Sequence, residues 1–155
     1  MDNISLTIHA MTREDAKLLF QWRNDIETRK NSTTTEAILW ETHMAWVEKV
    51  LSGGFPGRAV YLIEEGGKSV GMIRSDERPD GYVEVSYSIA PEMRGKGLGK
   101  RMVLQFVREK LSGRNLAARI RKNTNPASEA LARTLGLSPY SEESIEDGTT
   151  IVEWR

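Results

Sequence analysis

The chain has 155 residues, the length of one ordinary domain, and we expect residues 1–155 to form a single domain. Its 22 basic and 22 acidic side chains cancel, so no global charge draws the protein onto nucleic acid or an anionic membrane. The absence of cysteine excludes disulfides and a thiolate nucleophile, the two histidines lie too far apart to indicate a metal site, and no signal-like start or membrane-length apolar run is present. These features indicate a cytoplasmic protein.

Hydrophobic periodicity predicts strands that alternate with amphipathic helices along the chain. The predicted elements are a strand at 4–10, helices at 12–25 and 39–53, strands at 58–65, 68–77 and 82–91, a helix at 99–113, a strand at 115–123, a helix at 126–137 and a hairpin at 138–155. The strand–helix–strand run from 82 to 121 predicts a parallel pair inside an otherwise hairpin-linked sheet. We therefore expect an α+β (mixed α/β) fold.

The stretch IAPEMRGKGLGK, residues 89–100, joins a strand to a helix through three glycines and several basic residues. Backbone N–H groups at a helix start lack an intrahelical partner and lie at the positive end of the helix dipole. Glycines let a bulky anion approach these groups closely, so the stretch predicts a pyrophosphate cradle. The alternative is a glycine-rich turn on a solvated basic surface.

Two common nucleotide motifs do not fit this stretch. A P-loop requires Ser or Thr after Gly-Lys, but Gly97 follows Gly95 and Lys96. A dinucleotide fingerprint requires GxGxxG and a carboxylate at the end of the next strand, which here ends in RIRKN.

The stretch APEMRGKGLGKRMV resembles the acetyl-CoA loop of the GNAT superfamily of N-acetyltransferases. Arg94, Gly97 and Gly99 match the family's Arg-x-x-Gly-x-Gly signature, and NTNPASEALARTLGL resembles a later Asn-x-x-Ser pattern, matched by Asn125 and Ser128. The element order also resembles that of the family over the whole chain. The resemblance implies a three-layer sandwich with a central mixed sheet of about seven strands between helices. It also implies that acetyl-CoA is the cosubstrate, and it implies direct attack of a primary amine on the thioester.

The resemblance assigns residues to acetyl-CoA by position. The residues that it implies for cofactor binding are Ser88, Ile89, Ala90, Arg94, Gly95, Lys96, Gly97, Leu98, Gly99, Lys100, Asn125 and Ser128. Within this set, backbone amides from Gly95 to Lys100 would hold the pyrophosphate, the strand around Ile89 would pair with pantetheine, and the Ile89 amide is a candidate oxyanion donor. No metal is expected.

Candidate catalytic residues follow from the proton transfers that amine acetylation requires. Glu84, on the predicted central strand, is the first candidate for the base, with a solvated strand carboxylate as the alternative. Many family members carry a tyrosine one helical turn after the motif serine as general acid, and this chain has Ala132 there. Tyr140 is the nearest replacement in sequence, although a surface tyrosine or a water acting as the acid would also explain the pattern.

The segment from 19 to 51 resembles two family branches, which act on amino-sugar nucleotides or on the N-termini of ribosomal proteins. For a sugar nucleotide, Arg23, Arg29 and Lys30 are candidates to hold a diphosphate, and Asn24, Asn31 and Ser32 to bind hydroxyls. His43 and Trp46 are candidates for the floor of a sugar pocket, and Tyr87 for the acceptor cleft. The alternatives are a buried, hydrogen-bonded His43, core aromatic rings and a charged helix end.

Three functions therefore remain open at this point. The first is N-acetylation of a small amine, with an amino-sugar nucleotide preferred; the second is N-terminal acetylation of a protein or peptide; the third is a non-catalytic acyl-CoA-binding module. A fourth function, a nucleotide-binding regulatory domain, is disfavoured because the loop of this chain has no magnesium ligands. The sequence names two candidate homodimer surfaces, the C-terminal hairpin and the strand at 82–90, but decides neither the oligomeric state, the acyl length nor the acceptor.

Overall fold

The computed structural model describes residues 6–30, 35–146 and 148–155. The strands are β1 (Thr7–Ala10), β2 (Arg58–Glu65), β3 (Lys68–Glu77), β4 (Tyr82–Ile89), β5 (Asn115–Arg121), β6 (Pro139–Ser144) and β7 (Thr150–Trp154). The helices are α1 (Ala16–Arg23), α2 (Ile26–Lys30), α3 (Trp40–Leu51), α4 (Leu98–Lys110) and α5 (Pro126–Thr134). The predicted strands and helices occur in the predicted order, with one further short helix, α2, that was not predicted.

The helix predicted at 12–25 is shorter in the structure, where α1 covers Ala16–Arg23, and a separate helix that was not predicted, α2, begins after residue 25. Thr12 and Asp15 form a capping box, in which the Thr12 N–H donates to the Asp15 carboxylate over 2.8 Å, and a short 3-10 turn at Arg13–Asp15 precedes α1. Asp25 then accepts a hydrogen bond from the Thr28 N–H over 3.2 Å. A carboxylate that accepts from an amide three residues later starts a new helix, so α2 is separate from α1.

The seven strands form one sheet in the order β1-β2-β3-β4-β5-β7-β6. β1, β2, β3 and β4 pair antiparallel, as do β5, β7 and β6. β4 and β5 pair in parallel and join these two antiparallel halves, which confirms the predicted mixed sheet.

Helices cover both faces of the sheet and make the expected three layers. On one face, α1 and α3 bury Leu19, Trp22 and Val47 against β2. On the other face, α4 buries Met102, Val103 and Phe106 in a second cluster, and α5 covers β5 and β7. Each fully buried side chain of this size contributes about 1.5–3 kcal/mol, so the two clusters hold the sheet rigidly between the layers.

Candidate active site

β4 and β5 diverge and leave a gap in the middle of the sheet. Within the described residues, their parallel pairing covers Tyr82–Glu84 and Asn115–Ala117. Beyond this point β4 continues along β3, while β5 continues along β7. A cavity of about 390 Å³ opens between the separated strands, and it is closed by α5 and reached by the glycine loop. Ligands commonly bind where a sheet separates in this way.

The glycine loop forms the start of α4 at one end of this cavity. Gly95 and Gly97 have φ values of 78° and 72°, in the left-handed region that favours glycine. No atom of the described chain lies within 4 Å of a Cβ placed at either position, so the loop surface is open to a ligand. Lys96 and Lys100 are exposed beside it. Open space, free helix-start amides and two lysines together fit a pyrophosphate.

Gly99 differs from the other two loop glycines, because it allows close packing of α4 on β4. A Cβ at Gly99 would lie 3.0 Å from Cδ1 of Ile89 and 3.1 Å from Cε2 of Tyr87. The missing side chain therefore lets the first turn of α4 pack directly on β4. This contact fixes the helix start against the strand that borders the cavity.

Arg94 connects the loop to α2. Its guanidinium donates to the Asp25 carboxylate and, over 3.0 Å, to the Thr28 hydroxyl. The hydrogen bond from Arg94 is the main reason that the pKa of Asp25 lies below its ordinary value. Arg94 thus holds the loop against α2 and also lines the cavity, so its predicted role in cofactor binding stays a prediction.

Backbone groups of β4 facing the gap differ from those that the sequence suggested. The Ala90 N–H donates to the Val70 carbonyl over 2.9 Å, so it is engaged with β3. Backbone groups alternate sides along a strand, so Ser88 also bonds toward β3, whereas Tyr87 and Ile89 direct their N–H and C=O groups into the gap. Ile89 is thus in position for the role predicted, and Tyr87 replaces Ser88 and Ala90.

The start of α5 forms the opposite wall of the cavity. The Asn125 side chain accepts a hydrogen bond from the Ser128 N–H over 3.2 Å and caps the helix. The Tyr87 hydroxyl lies 3.2 Å from the Ser128 hydroxyl oxygen, across the gap from β4 to α5. Asn125, Ser128 and Tyr87 all line the cavity, which brings these three sequence-predicted residues together.

Glu84 lies at the last paired position of β4, where the gap begins. Its side chain points away from the buried Val83 and Val85, toward the face covered by α1 and α3. Arg78 donates to Glu84 over 3.4 Å and to Glu153 over 3.0 Å, and it holds the pKa of Glu153 below its ordinary value. The strand register places Asp76 of β3 directly opposite Glu84.

Three arginines gather on this same face of the sheet. Arg58 and Arg74 both contact the Asp76 carboxylate, at 2.7 and 3.0 Å, and Arg74 is paired with Ser86 in the strand register. The pKa of Arg23 is lowered by burial and by the nearby positive charges of Arg74 and Arg58. This arginine cluster, Arg23, Arg58 and Arg74, was not predicted as a unit because its members come from three separate elements.

His43 orients Arg23 within that cluster. Its Nε2 donates to the Ala16 carbonyl over 2.7 Å, so Nδ1 is the acceptor for the Arg23 guanidinium at 2.8 Å. Burial is the main cause of the lowered pKa of His43, which keeps the ring neutral. Trp46 completes the support, because the Arg23 guanidinium lies 4.5 Å from the centre of its ring.

The family of the chain follows from its match to a known protein family. The sequence profile described as "Acetyltransferase (GNAT) domain" matches residues 5–138, most of the chain. The chain belongs to the GNAT acetyltransferase family. This GNAT protein is an N-acetyltransferase with acetyl-CoA as its cosubstrate, as the resemblance implied.

No curated protein sequence matches the chain. Solved structures of the same fold include enzymes that act on different acceptors. Spermidine N-acetyltransferase from Vibrio cholerae, in complex with CoA and spermine, is 15% identical with a TM-score of 0.82, over 98% of this chain and 95% of that one. A putative phosphinothricin N-acetyltransferase is 24% identical with a TM-score of 0.76, over 97% and 96%. RimL, the ribosomal L7/L12 alpha-N-protein acetyltransferase, is 14% identical with a TM-score of 0.73, over 97% and 92%. At these identities the likeness shows the fold.

Several predicted acceptor contacts are wrong because the side chains are already engaged. His43 has no exposed surface and cannot form a pocket floor, so the buried-imidazole alternative is correct. The Asn24 amide is bonded on both sides, to the Ile38 carbonyl over 2.9 Å and from the Ile38 N–H over 2.6 Å. Arg29 differs from these two, because its buried Nε has no hydrogen-bond partner in the described part of the chain, and its predicted contact stays a prediction. The predicted contacts at Asn31 and Ser32 lie outside the described residues.

The prediction that Tyr140 is the catalytic acid is also wrong. It lies in β6 at the outer edge of the sheet, is 63% exposed, and packs 4.2 Å from the Arg155 guanidinium. Ala132, by contrast, lines the cavity and is buried. The position at which the family resemblance implied a tyrosine is thus inside the cavity, and Tyr140 lies away from it at the sheet edge.

Two further findings concern the described residues alone. No group of three or more His, Asp or Glu side chains there could hold a metal ion. None of the helices described is both long and apolar enough to cross a membrane.

Proposed function

We propose that the acceptor of this acetyltransferase is a small amine that carries an anionic group, with an amino-sugar nucleotide as the preferred candidate. The observation that carries the proposal is the arginine cluster on the acceptor side of the gap. Arg23, Arg58 and Arg74 supply three positive charges and Asp76 supplies one negative charge, while the nearby Glu84 is paired with Arg78, which leaves an excess of two. A nucleotide diphosphate would match this excess, because guanidinium groups bind phosphate oxygens in a fork.

The partial burial of the cluster supports this role. The side chains of Arg58 and Arg74 are 20% and 29% exposed, so their charges are only partly screened but remain reachable. Arg23 is bonded to the neutral His43 rather than to a carboxylate, so its charge remains available. The same excess of charge disfavours polyamines, aminoglycosides and basic peptides, which is why the protein N-terminus is the second choice.

On the cofactor side, we assign the pyrophosphate to the amides of Gly95 to Lys100, with Lys96 and Lys100 beside it. The Ile89 and Tyr87 backbone groups would bond the pantetheine arm, with the cap residue Asn125 at the opposite wall. This arrangement places the thioester in the gap, where an amine can approach it from the face that carries Glu84. The open loop surface at Gly95 and Gly97 supports the assignment.

Glu84 remains the proposed general base. Its side chain is 19% exposed and lies where the strands separate, on the face that carries the arginine cluster. A carboxylate at this position can accept the amine proton directly or through one water. Arg78 orients it through the hydrogen bond at 3.4 Å.

Other expectations remain proposals: one domain over residues 1–155, a cytoplasmic location and the candidate homodimer surfaces. A non-catalytic acyl-CoA-binding module is disfavoured because the base, the gap and the cofactor loop occur together.

The test measures thiol release from acetyl-CoA with a panel of amines at equal concentration. The panel contains a nucleoside-diphosphate 4-amino-sugar, the same amino-sugar without the nucleotide, spermidine, an aminoglycoside and an N-terminal peptide. We expect turnover with the nucleotide-linked sugar and at least tenfold lower kcat/KM without the nucleotide. Preferred turnover of spermidine, the aminoglycoside or the peptide would contradict the proposal.

Arginine variants link the acceptor to the cluster. Replacing Arg74 by Gln removes one charge-assisted contact worth about 1.5–3 kcal/mol, so we expect KM for the nucleotide-linked sugar to rise about tenfold or more. Affinity for acetyl-CoA, measured by calorimetry, should stay unchanged. The matched control is Arg13→Gln, which removes an exposed arginine that pairs with Glu48 away from the gap.

A further inference from the structure

Two hydroxyl groups face each other inside the cavity, on opposite sides of the gap between β4 and α5. The Tyr87 hydroxyl and the Ser128 hydroxyl oxygen are 3.2 Å apart. Most of the surrounding lining is aliphatic, including Val85, Val103 and Leu131. A polar pair in such surroundings is strengthened by the low local dielectric, so its hydroxyl groups are held in a defined position.

The position of the Tyr87 ring is fixed by its other contacts. One edge of the ring lies against the first turn of α4, where a Cβ on Gly99 would come within 3.1 Å of Cε2. The ring therefore extends between the starts of α4 and α5, and its hydroxyl reaches the first turn of α5. The backbone of Tyr87 borders the gap, which is the route assigned above to the thioester.

Ala132 explains why this hydroxyl has room. Ala132 lies one helical turn after Ser128 and contributes only a methyl group to the cavity. A long side chain on a helix covers the turn on the N-terminal side of its own Cα. A long side chain at position 132 would thus cover the turn that begins at Ser128, which is the place that the Tyr87 hydroxyl occupies.

We propose that Tyr87 is the catalytic residue that donates a proton to the sulfur of CoA as it leaves. A thiolate leaving group is stabilised by a nearby proton donor, and a phenol is a stronger acid than the aliphatic hydroxyls in the same cavity. Ser128 acts as a positioning residue, since it holds the hydroxyl of Tyr87 toward the gap.

The amine nitrogen forms a bond to the acetyl carbon, and its proton passes to Glu84 or to water. The bond from carbon to sulfur breaks, the electron pair stays on sulfur, and the Tyr87 proton moves to it. The Tyr87 phenolate regains a proton from solvent through the Ser128 hydroxyl. This inference rests on acetyl transfer from acetyl-CoA and does not depend on which amine is the acceptor.

The first test needs no acceptor. The thiol of CoA bound to the full chain is titrated by the ultraviolet absorbance of the thiolate, against the apoprotein as blank. A hydrogen bond from Tyr87 stabilises the thiolate, so Tyr87→Phe should raise the pKa of the bound thiol by about one unit, a tenfold change in its acidity. Ser128→Ala should raise it by a smaller amount. The control is Tyr82→Phe, on the same strand but outside the cavity, which should leave the thiol pKa unchanged.

A second test restores the donor from the other wall. The double variant Tyr87→Phe with Ala132→Tyr places a hydroxyl over the same turn of α5. We expect it to return the thiol pKa toward the wild-type value. With any amine that turns over, its kcat should be at least tenfold higher than that of Tyr87→Phe alone. Calorimetry of CoA confirms that each variant binds. An unchanged thiol pKa in Tyr87→Phe, with CoA bound normally, would overturn the inference while leaving the acceptor proposal intact.

Discussion

Replacing Gly97 by Glu tests the pyrophosphate cradle most directly. Gly97 caps α4 with a φ of 72°, and the space beside it is open. The new carboxylate would lie where the diphosphate is expected. Two unit charges about 5 Å apart interact by roughly 3 kcal/mol at an effective dielectric constant near 20, and the diphosphate carries more than one charge. We therefore expect the affinity for acetyl-CoA to fall by more than a hundredfold.

Backbone strain must be separated from this electrostatic effect. A left-handed conformation costs a residue with a side chain about 1–2 kcal/mol, which lowers Tm of a domain of this size by roughly 2–8 °C. Gly113 provides the matched control, since it follows α4 at the opposite end, has a φ of 77° and also has open space around it. Gly113→Glu should show the same loss of Tm but normal binding.

The assay is isothermal calorimetry of acetyl-CoA at two salt concentrations, with Tm from calorimetric scanning. Salt should partly restore binding to the Gly97→Glu protein, because screening weakens the repulsion. Gly97→Ala should bind nearly normally, since it adds strain without charge. If Gly97→Glu binds acetyl-CoA within threefold of the wild type, the assignment of the loop to the pyrophosphate is refuted.

Four further predictions concern single side chains. Glu84→Gln should lower the rate mainly below the pKa of the free amine, and an identical pH–rate profile would exclude Glu84 as the base. Tyr140→Phe should leave kcat within twofold, because this ring packs on the outer edge of the sheet; a tenfold loss would reinstate it as the acid. Burial lowers the pKa of His43, so the unfolded chain binds a proton more readily there and the fold loses stability as pH falls below about 6.5. A His43→Gln protein should lack this decrease of Tm with falling pH. The pKa of Asp25 is lowered by Arg94, so its contribution is complete above about pH 4 and is lost as pH falls further; Tm of Asp25→Asn should depend less on pH there.

Local patterns in the sequence were sufficient for the elements and for the cofactor loop. Periods of two and 3.6 residues distinguish strands from helices because side-chain direction is set by the backbone itself. The loop at 95–99 was found for a similar reason, since glycines at a strand-to-helix junction act through their own φ values and amides. Helix α2 was not predicted, because its start depends on the hydrogen bond that the Asp25 carboxylate accepts from the Thr28 N–H.

Tertiary structure decided everything that depends on distant partners. Arg94 matched a cofactor motif in sequence, but its ion pair with Asp25 was not predicted. Tyr140 was the nearest tyrosine along the chain, whereas Tyr87 is the one that reaches Ser128 across the gap. The arginine cluster and the point where β4 separates from β5 were equally hidden, because they arise from register and packing between segments. Local sequence determines what each segment forms, but the free energy that selects its partners comes from contacts between segments far apart in the chain.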